Sequence, residues 1–236
     1  VTVRTVARFY KTVTIAEDGG RFVVRLDGKP VKTPHRAVLS LPNRGLAEAV
    51  AEEWAAQRDK IDLKSMPMTQ LANAAVALGP EHHAEAAERI LAYGKSDLLC
   101  YRAEGPEELV RRQAVRWDPL LDWACEKLGA RLAVGQGIAF VEQPAAALLA
   151  LEKAIWRYDA FGLVGLHAAA AITGSLVLAL ALADGRVAAG EAFELAQLDE
   201  IWQAEKWGMD AAVEARMTKL RTDLEAADSF LRMLAA

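Results

Sequence analysis

Three short stretches of this chain carry residue types that could do chemistry. Gly94-Lys95-Ser96 has the ending of a phosphate-binding loop, where backbone amides and a lysine gather around phosphate oxygens. Such a loop needs a glycine five positions before Gly94, where Arg89 stands, and a preceding strand, where the pattern is helical. The triplet therefore reads as the end of a helix, with Gly94 as its terminal residue. Gly135-Gln136-Gly137 lacks the third glycine and the βαβ setting of a dinucleotide site. Ser175, in Thr173-Gly174-Ser175, sits in no nucleophile elbow and has no base beside it. The four histidines, His35, His82, His83 and His167, stand neither in a zinc-binding helix motif nor at ligand spacing from a cysteine. His82 and His83 are adjacent, so on a helix they point to different sides. His167, in an apolar run, reads as a core histidine. Cys100 and Cys125 have no paired spacing and read as free, buried thiols. The expectation is a chain without catalytic, metal or cofactor-binding residues.

The elements that would position these residues fall into two unequal parts. The 236 residues include 53% hydrophobic and 25% charged residues, a globular composition. The net charge of −4 hides an uneven spread. Residues 1–45 hold nine Lys/Arg against three Asp/Glu, a balance of +6, while the remainder carries −10. Composition changes at the same place. Lys11–Ile15, Arg21–Leu26, Pro30–Thr33 and Ala37–Leu41 favour strands, separated by the turn signals Glu17-Asp18-Gly19-Gly20 and Asp27-Gly28. These predict a small antiparallel meander over 1–45. Helical periods follow over 46–236: Leu46–Asp59, Thr69–Leu78 with Thr69 as cap, Glu81–Tyr93, and Pro106–Leu128 bent or broken at Asp118-Pro119. Ile61–Pro67 looks extended, and Leu132–Val141 could pair as a hairpin. Helices over Pro144–Tyr158, Gly190–Trp207 and Asp210–Leu234 complete an α+β protein with a small β portion and a mainly helical body.

Ala160–Ala183 is 24 residues long with no Asp, Glu, Lys or Arg, which is enough to span a bilayer. Eight of those residues are Ala and three are Gly, so the drive for insertion is weak, and no basic cluster flanks one end. The segment reads as a buried central helix interrupted at Thr173-Gly174-Ser175, without stable membrane insertion. The opening Val1–Tyr10 lacks the regions of a signal peptide, although a removed leader stays compatible with Val1 as first residue. The basic head leaves nucleic-acid binding by a small β module as one alternative, and an enzyme with an unrecognised site as another. With only Phe9, Tyr10 and Phe22 as aromatics, the head reads better as a solvated basic face.

Several short motifs occur in a distinctive order. They are Leu26-Asp27-Gly28-Lys29-Pro30-Val31-Lys32-Thr33-Pro34, Glu53-Trp54, Asp97 to Ala103, Gln113 to Leu121 with Trp117-Asp118-Pro119, Thr173-Gly174-Ser175, and Gln203 to Gly208. In this order the chain resembles the ATP synthase assembly chaperones of mitochondria and α-proteobacteria, from about Arg8 to Leu231. It departs after Trp207-Gly208, where eukaryotic members continue with a Trp and a His-Asp pair and this chain has Met209-Asp210-Ala211-Ala212. That favours a bacterial member. The resemblance implies a non-enzymatic chaperone that binds the unassembled α subunit of the catalytic head, shields the surface destined for the β subunit, and leaves when β arrives. It further implies no cofactor and no nucleic acid, a free monomer, and a cytoplasmic location, or the mitochondrial matrix if a leader has been removed.

The resemblance also makes the acidic stretch near Asp199 and Glu200 a functional position. On a Gly190–Trp207 helix, Phe193, Ala196, Ala204 and Trp207 share a face with Glu200 and Gln203. The expected partner-binding residues are Glu200 first, then Asp199, with Gln203, Trp207 and Phe193. Trp54 reads as core, and Asp97 to Arg102 together with Asp118 as structural.

Overall fold

Two glycine-bearing turns organise the start of the chain, and both need positive φ at two successive residues. Gly19 and Gly20 (φ +59 and +76) close a two-residue hairpin between β2 (Val13–Asp18) and β3 (Arg21–Leu26), with Asp18 opposite Arg21. Asp27 and Gly28 (φ +47 and +80) do the same between β3 and β4 (Lys29–Pro30), and the Asp27 carboxylate accepts from the Thr12 amide at 2.8 Å. β5 (Ser40–Leu41) returns to the other end of the same β3 edge, pairing Phe22 with Leu41. The meander is present, but its last strand is shorter than expected and lies beside β3 rather than extending the sheet.

The structure, a computed structural model, describes residues 6–235, so the reading of Val1–Thr5 as free of a signal sequence lies outside the described residues. β1 (Val6–Ala7) pairs with β6 (Lys60–Ile61), a contact that two-residue strands leave no pattern for. α1 (Arg44–Ala56) begins at Asn43, whose side chain accepts from the Leu46 amide at 2.9 Å. α2 (Pro67–Leu78) starts two residues before the expected Thr69 cap. Its first amides are capped from outside: the Glu53 carboxylate on α1 accepts from Met68 and Thr69 at 2.6 and 2.7 Å. Proline at the first position loses nothing there, because that amide has no helical acceptor.

α3 (His83–Lys95) runs through Gly94 instead of ending at it. A Cβ at Gly94 would come within 2.9 Å of Leu151 on α5 (Ala145–Ile155), so this glycine permits close helix packing. Leu98–Cys100 forms one 3-10 turn leading into β7 (Tyr101–Arg102). α4 (Glu107–Trp123) accommodates Pro119 without breaking and continues as a π-helical turn over Ala124–Leu128. β8 (Gly135–Gln136) pairs in parallel with β7, so Leu132–Val141 is not a hairpin.

The apolar segment divides as its Thr-Gly-Ser break suggests, into α6 (Ala160–Thr173) and α7 (Leu176–Ala183), with Gly174 at φ +67 and the Ser175 side chain capping α7. No helix among the described residues is long and apolar enough to cross a membrane. α7 is buried from Leu176 to Leu182 in the larger core, which α3 to α10 share. The expected Gly190–Trp207 helix is two: α8 (Ala189–Ala196) and α9 (Leu198–Trp207), hinged at Gln197. Gln197 leaves helical geometry (φ −106, ψ 22), and Leu195–Leu198 around it are all buried. α10 (Ala211–Ala235) closes the fold.

A second core joins Val24, Leu26, Leu39 and Leu41 of the strands to Leu46 and Val50 of α1, Ala72 of α2, and the stacked rings of Phe161 and Phe230. This cluster crosses residue 45, so the strands and the first helices share one apolar interior.

Candidate partner-binding surface

The motif residues converge in the interior. Asp97 is fully buried: one carboxylate oxygen accepts from the Ser175 hydroxyl (2.6 Å) and the Leu99 amide (3.1 Å), the other from the Val177 amide (3.0 Å). Ser175 Oγ in turn accepts from Leu178 at 3.0 Å. The pair thus caps the 3-10 turn and α7 together, and both residues are too deeply buried to meet a substrate. Burial pushes the Asp97 carboxyl up to about 6 against the pull of its donors. Burial also pushes the neighbouring Cys100 thiol up to about 12, so it behaves as packing rather than as a nucleophile.

A second node holds α9 in place. Gln113 accepts from the Ala103 amide and donates to Asp199, both at 2.8 Å. The Trp117 indole donates at 3.0 Å to the Leu195 carbonyl, which a continuous helix would pair with Asp199. The Arg102 guanidinium lies over Trp117 and bonds Asp118 at 2.7 Å. Asp118 itself is exposed, and Arg102 Nε and Nη1 stay buried without a hydrogen-bond partner, so the pair satisfies the buried guanidinium only in part. Trp54 is half-buried against the second core, edge-on to Tyr10.

The histidines scatter. His83 stacks on Trp156 at 4.9 Å and contacts the Tyr158 carbonyl, while His82 is exposed. His167 is exposed as well, correcting its reading as a core residue: it sits on the outer stripe of α6, edge-on to Tyr93. Cys125 is half-buried, unlike the fully buried Cys100. Among the described residues no group of three or more His, Cys, Asp or Glu is placed to hold a metal ion.

The five residues expected to meet a partner part company. Phe193 lies on α8, 3% exposed beneath the Arg221 guanidinium, so the hinge at Gln197 removes it from any surface α9 presents. Asp199 is half-buried and committed to Gln113. Glu200, Gln203 and Trp207 remain together on the outside. They line a depression of about 330 Å³ whose far wall is Met209, Val213 and Arg216. Trp207 is 74% exposed and stands edge-on to the buried Trp202 at 5.6 Å. Gly208 (φ +81) turns the chain so that Met209 faces the same space, and Asp210 then caps α10 through the Ala212 and Val213 amides.

Charge on α9 is divided just as sharply. Glu205 makes a two-pronged pair with Arg112 (2.6 and 2.8 Å), which lowers its pKa, and Lys206 pairs with Glu108 at 2.9 Å. Glu200 has no hydrogen-bond or ion-pair partner among the described residues. The surface is therefore an unpaired carboxylate beside an exposed indole and a thioether, suited to binding another protein. Sequence reasoning missed Met209, Val213 and Arg216, since only the turn at Gly208 brings them across from Glu200.

The family model of the ATP12 chaperone protein matches residues 7–125. The chain is 40% identical to Atp12 from Paracoccus denitrificans, whose crystal structure it matches with a TM-score of 0.91 over 97% of this chain and 98% of that one. The crystal structure of a protein from Agrobacterium tumefaciens is 41% identical, with a TM-score of 0.93 over 97% of this chain and 86% of that one. The mitochondrial protein atp12 of Schizosaccharomyces pombe is 22% identical over 213 residues, 85% of this chain and 73% of the relative.

Proposed function

The chain belongs to the ATP12 chaperone family and is an ATP synthase assembly chaperone, and from that premise we propose that it binds the unassembled α subunit and covers the surface destined for β. An unassembled subunit interface is a large apolar patch, prone to aggregate or to pair wrongly. A temporary cover must bind it well enough to protect and loosely enough to be displaced. The observation that carries this reading is the exposed, unpaired Glu200 beside Trp207 and Met209 on a protein without a metal cluster among its described residues. Trp207 supplies apolar area, and Glu200 supplies a charge that selects a basic or hydrogen-bond-donating partner group. Asp199 acts through Gln113 by fixing α9, and Gln203 lies at the rim. The free protein is monomeric and works in the bacterial cytoplasm or the mitochondrial matrix, where α is made or delivered.

The test is Glu200→Lys. Reversal should leave thermal unfolding within about 2 °C of the unsubstituted protein, because the side chain is exposed. Protection of purified α subunit from aggregation, read by light scattering, should fall by about ten-fold or more. A large drop in melting temperature would assign Glu200 to the fold, and full protection would remove it from the interface.

A further inference from the structure

From Leu132 to Val141 the chain has no Asp, Glu, Lys or Arg, yet much of the segment lies in solvent. Ile138 is fully exposed (104%), Phe140 is 72% exposed and Val134 is 48% exposed. Exposed apolar side chains on loops are ordinary when scattered singly; three within seven residues, unrelieved by charge, are not. Nor is the segment loose. The Gly137 amide donates to the Arg102 carbonyl at 2.8 Å, Gln136 Nε2 to the Ala103 carbonyl at 3.2 Å, and the Val141 amide to the Tyr101 hydroxyl at 3.4 Å. At Gly135 the space that a Cβ would fill is taken by Val141 Cγ2, so the loop closes tightly on itself. The apolar tip is held outward by its own base.

That base lies at the end of the molecule where α9 stops. Arg102 and Ala103, which anchor the loop, precede the first turn of α4, and Glu108 in that turn pairs with Lys206, the neighbour of Trp207. Gln113 ties Ala103 to Asp199 by the same route. The loop base and both ends of α9 are thus tied to the same helix, α4.

We propose that Val134–Val141 is a second arm of the chaperone surface, whose Ile138 and Phe140 enter an apolar pocket on the unassembled interface of the subunit that α9 contacts. This rests on the reading of α9 as partner-binding. The occupant is set by the loop's attachment, through α4, to the helix that carries Glu200 and Trp207, and by the loop's chemistry: an apolar, uncharged tip fits an apolar subunit interface and offers nothing to a phosphate or a basic surface. Two arms on one partner raise affinity through effective concentration, which suits a cover that must let go stepwise.

The test compares the unsubstituted protein, Glu200→Lys, and the double variant Ile138→Ser with Phe140→Ser, each measured for thermal unfolding and for protection of purified α subunit. The double variant should unfold within about 2 °C of the parent, since neither side chain is buried. Its protection of α should fall by about ten-fold or more. Equal protection by the double variant, with Glu200→Lys impaired, overturns the second arm and leaves the α9 reading standing. No protection by the unsubstituted protein removes both. Sedimentation velocity of the free protein adds one outcome: a dimer that the double variant converts to monomer, with protection of α unchanged, identifies a second copy of the chain as the occupant and overturns the proposal.

Discussion

The Asp97–Ser175 junction and the α9 rim differ in almost every property that matters to a chaperone. At the junction, both side chains are fully buried, every contact is short, and one carboxylate caps two elements 78 residues apart in sequence. At the rim, Glu200 is unpaired, Trp207 is exposed, and the ion pairs that reach α9 lie in water. The junction holds residues of the short motifs that carry the sequence resemblance, and so does the Gln113–Trp117 node. Those motif residues therefore hold the scaffold together. A binding surface that must be left again is better built from exposed groups whose substitution leaves the fold alone.

The contrast can be broken most severely at Asp97. Asp97→Ala leaves the Ser175 hydroxyl and the amides of Leu99 and Val177 without their acceptor in a site that water does not reach. Each orphaned buried donor costs about 1–3 kcal/mol, so the loss should be on the order of 4 kcal/mol in urea unfolding, with the midpoint falling and the slope unchanged. A loss under about 1 kcal/mol would mean that the junction is not a keystone and that its motif residues have another purpose.

A smaller effect should appear with pH. Burial raises the Asp97 carboxyl to about 6 in the folded protein, above the ordinary carboxylate value of the unfolded chain. Between about pH 4 and 6 the folded state then binds the extra proton, and stability falls as pH rises, by at most about 1.4 kcal/mol per pH unit. The Glu53 carboxyl, also raised by burial, adds a slope of the same sign. Asp97→Asn should flatten the curve across that window relative to the parent, and an unchanged slope would show that Asp97 does not titrate there.

What sequence could foresee follows the same division. The two hairpins were legible because Gly19-Gly20 and Asp27-Gly28 are the residues that tolerate positive φ, and the Thr-Gly-Ser break because it caps one helix while ending another. The hinge at Gln197 left no such mark, since neither glycine nor proline stands there, and the Trp117 indole that takes the Leu195 carbonyl comes from another helix. Phe193 was misplaced for that reason. Gly94 looked like a terminator because the pattern along α3 says nothing about Leu151, which approaches it from 57 positions away. The capping of α2 by Glu53 was equally invisible, being a contact between helices. Of the candidate surface, Glu200, Gln203 and Trp207 could be found from helical spacing, whereas Met209, Val213 and Arg216 needed the turn at Gly208.

The smallest effect is expected where charge is most visible. Arg112 and Glu205 join α4 to α9 with two short bonds, and by eye this looks like a clamp. Their side chains are 35% and 48% exposed, however, so water and salt screen the attraction, and ordering two long side chains opposes it. What places α9 is its inner side: Leu198 and Trp202 are buried in the larger core, and Asp199 is tied to Gln113 beneath. Arg112→Ala should therefore cost no more than about 1 kcal/mol at low salt, and the difference from the parent should shrink further in about 0.5 M salt. Protection of the α subunit should stay close to that of the parent, because α9 keeps its position and Glu200 and Trp207 keep their exposure. A loss above about 2 kcal/mol, insensitive to salt, would show that the outer pairs clamp the helix. The rim would then belong to the scaffold as much as the Asp97 junction does, and its freedom to carry charge changes without cost to the fold would disappear.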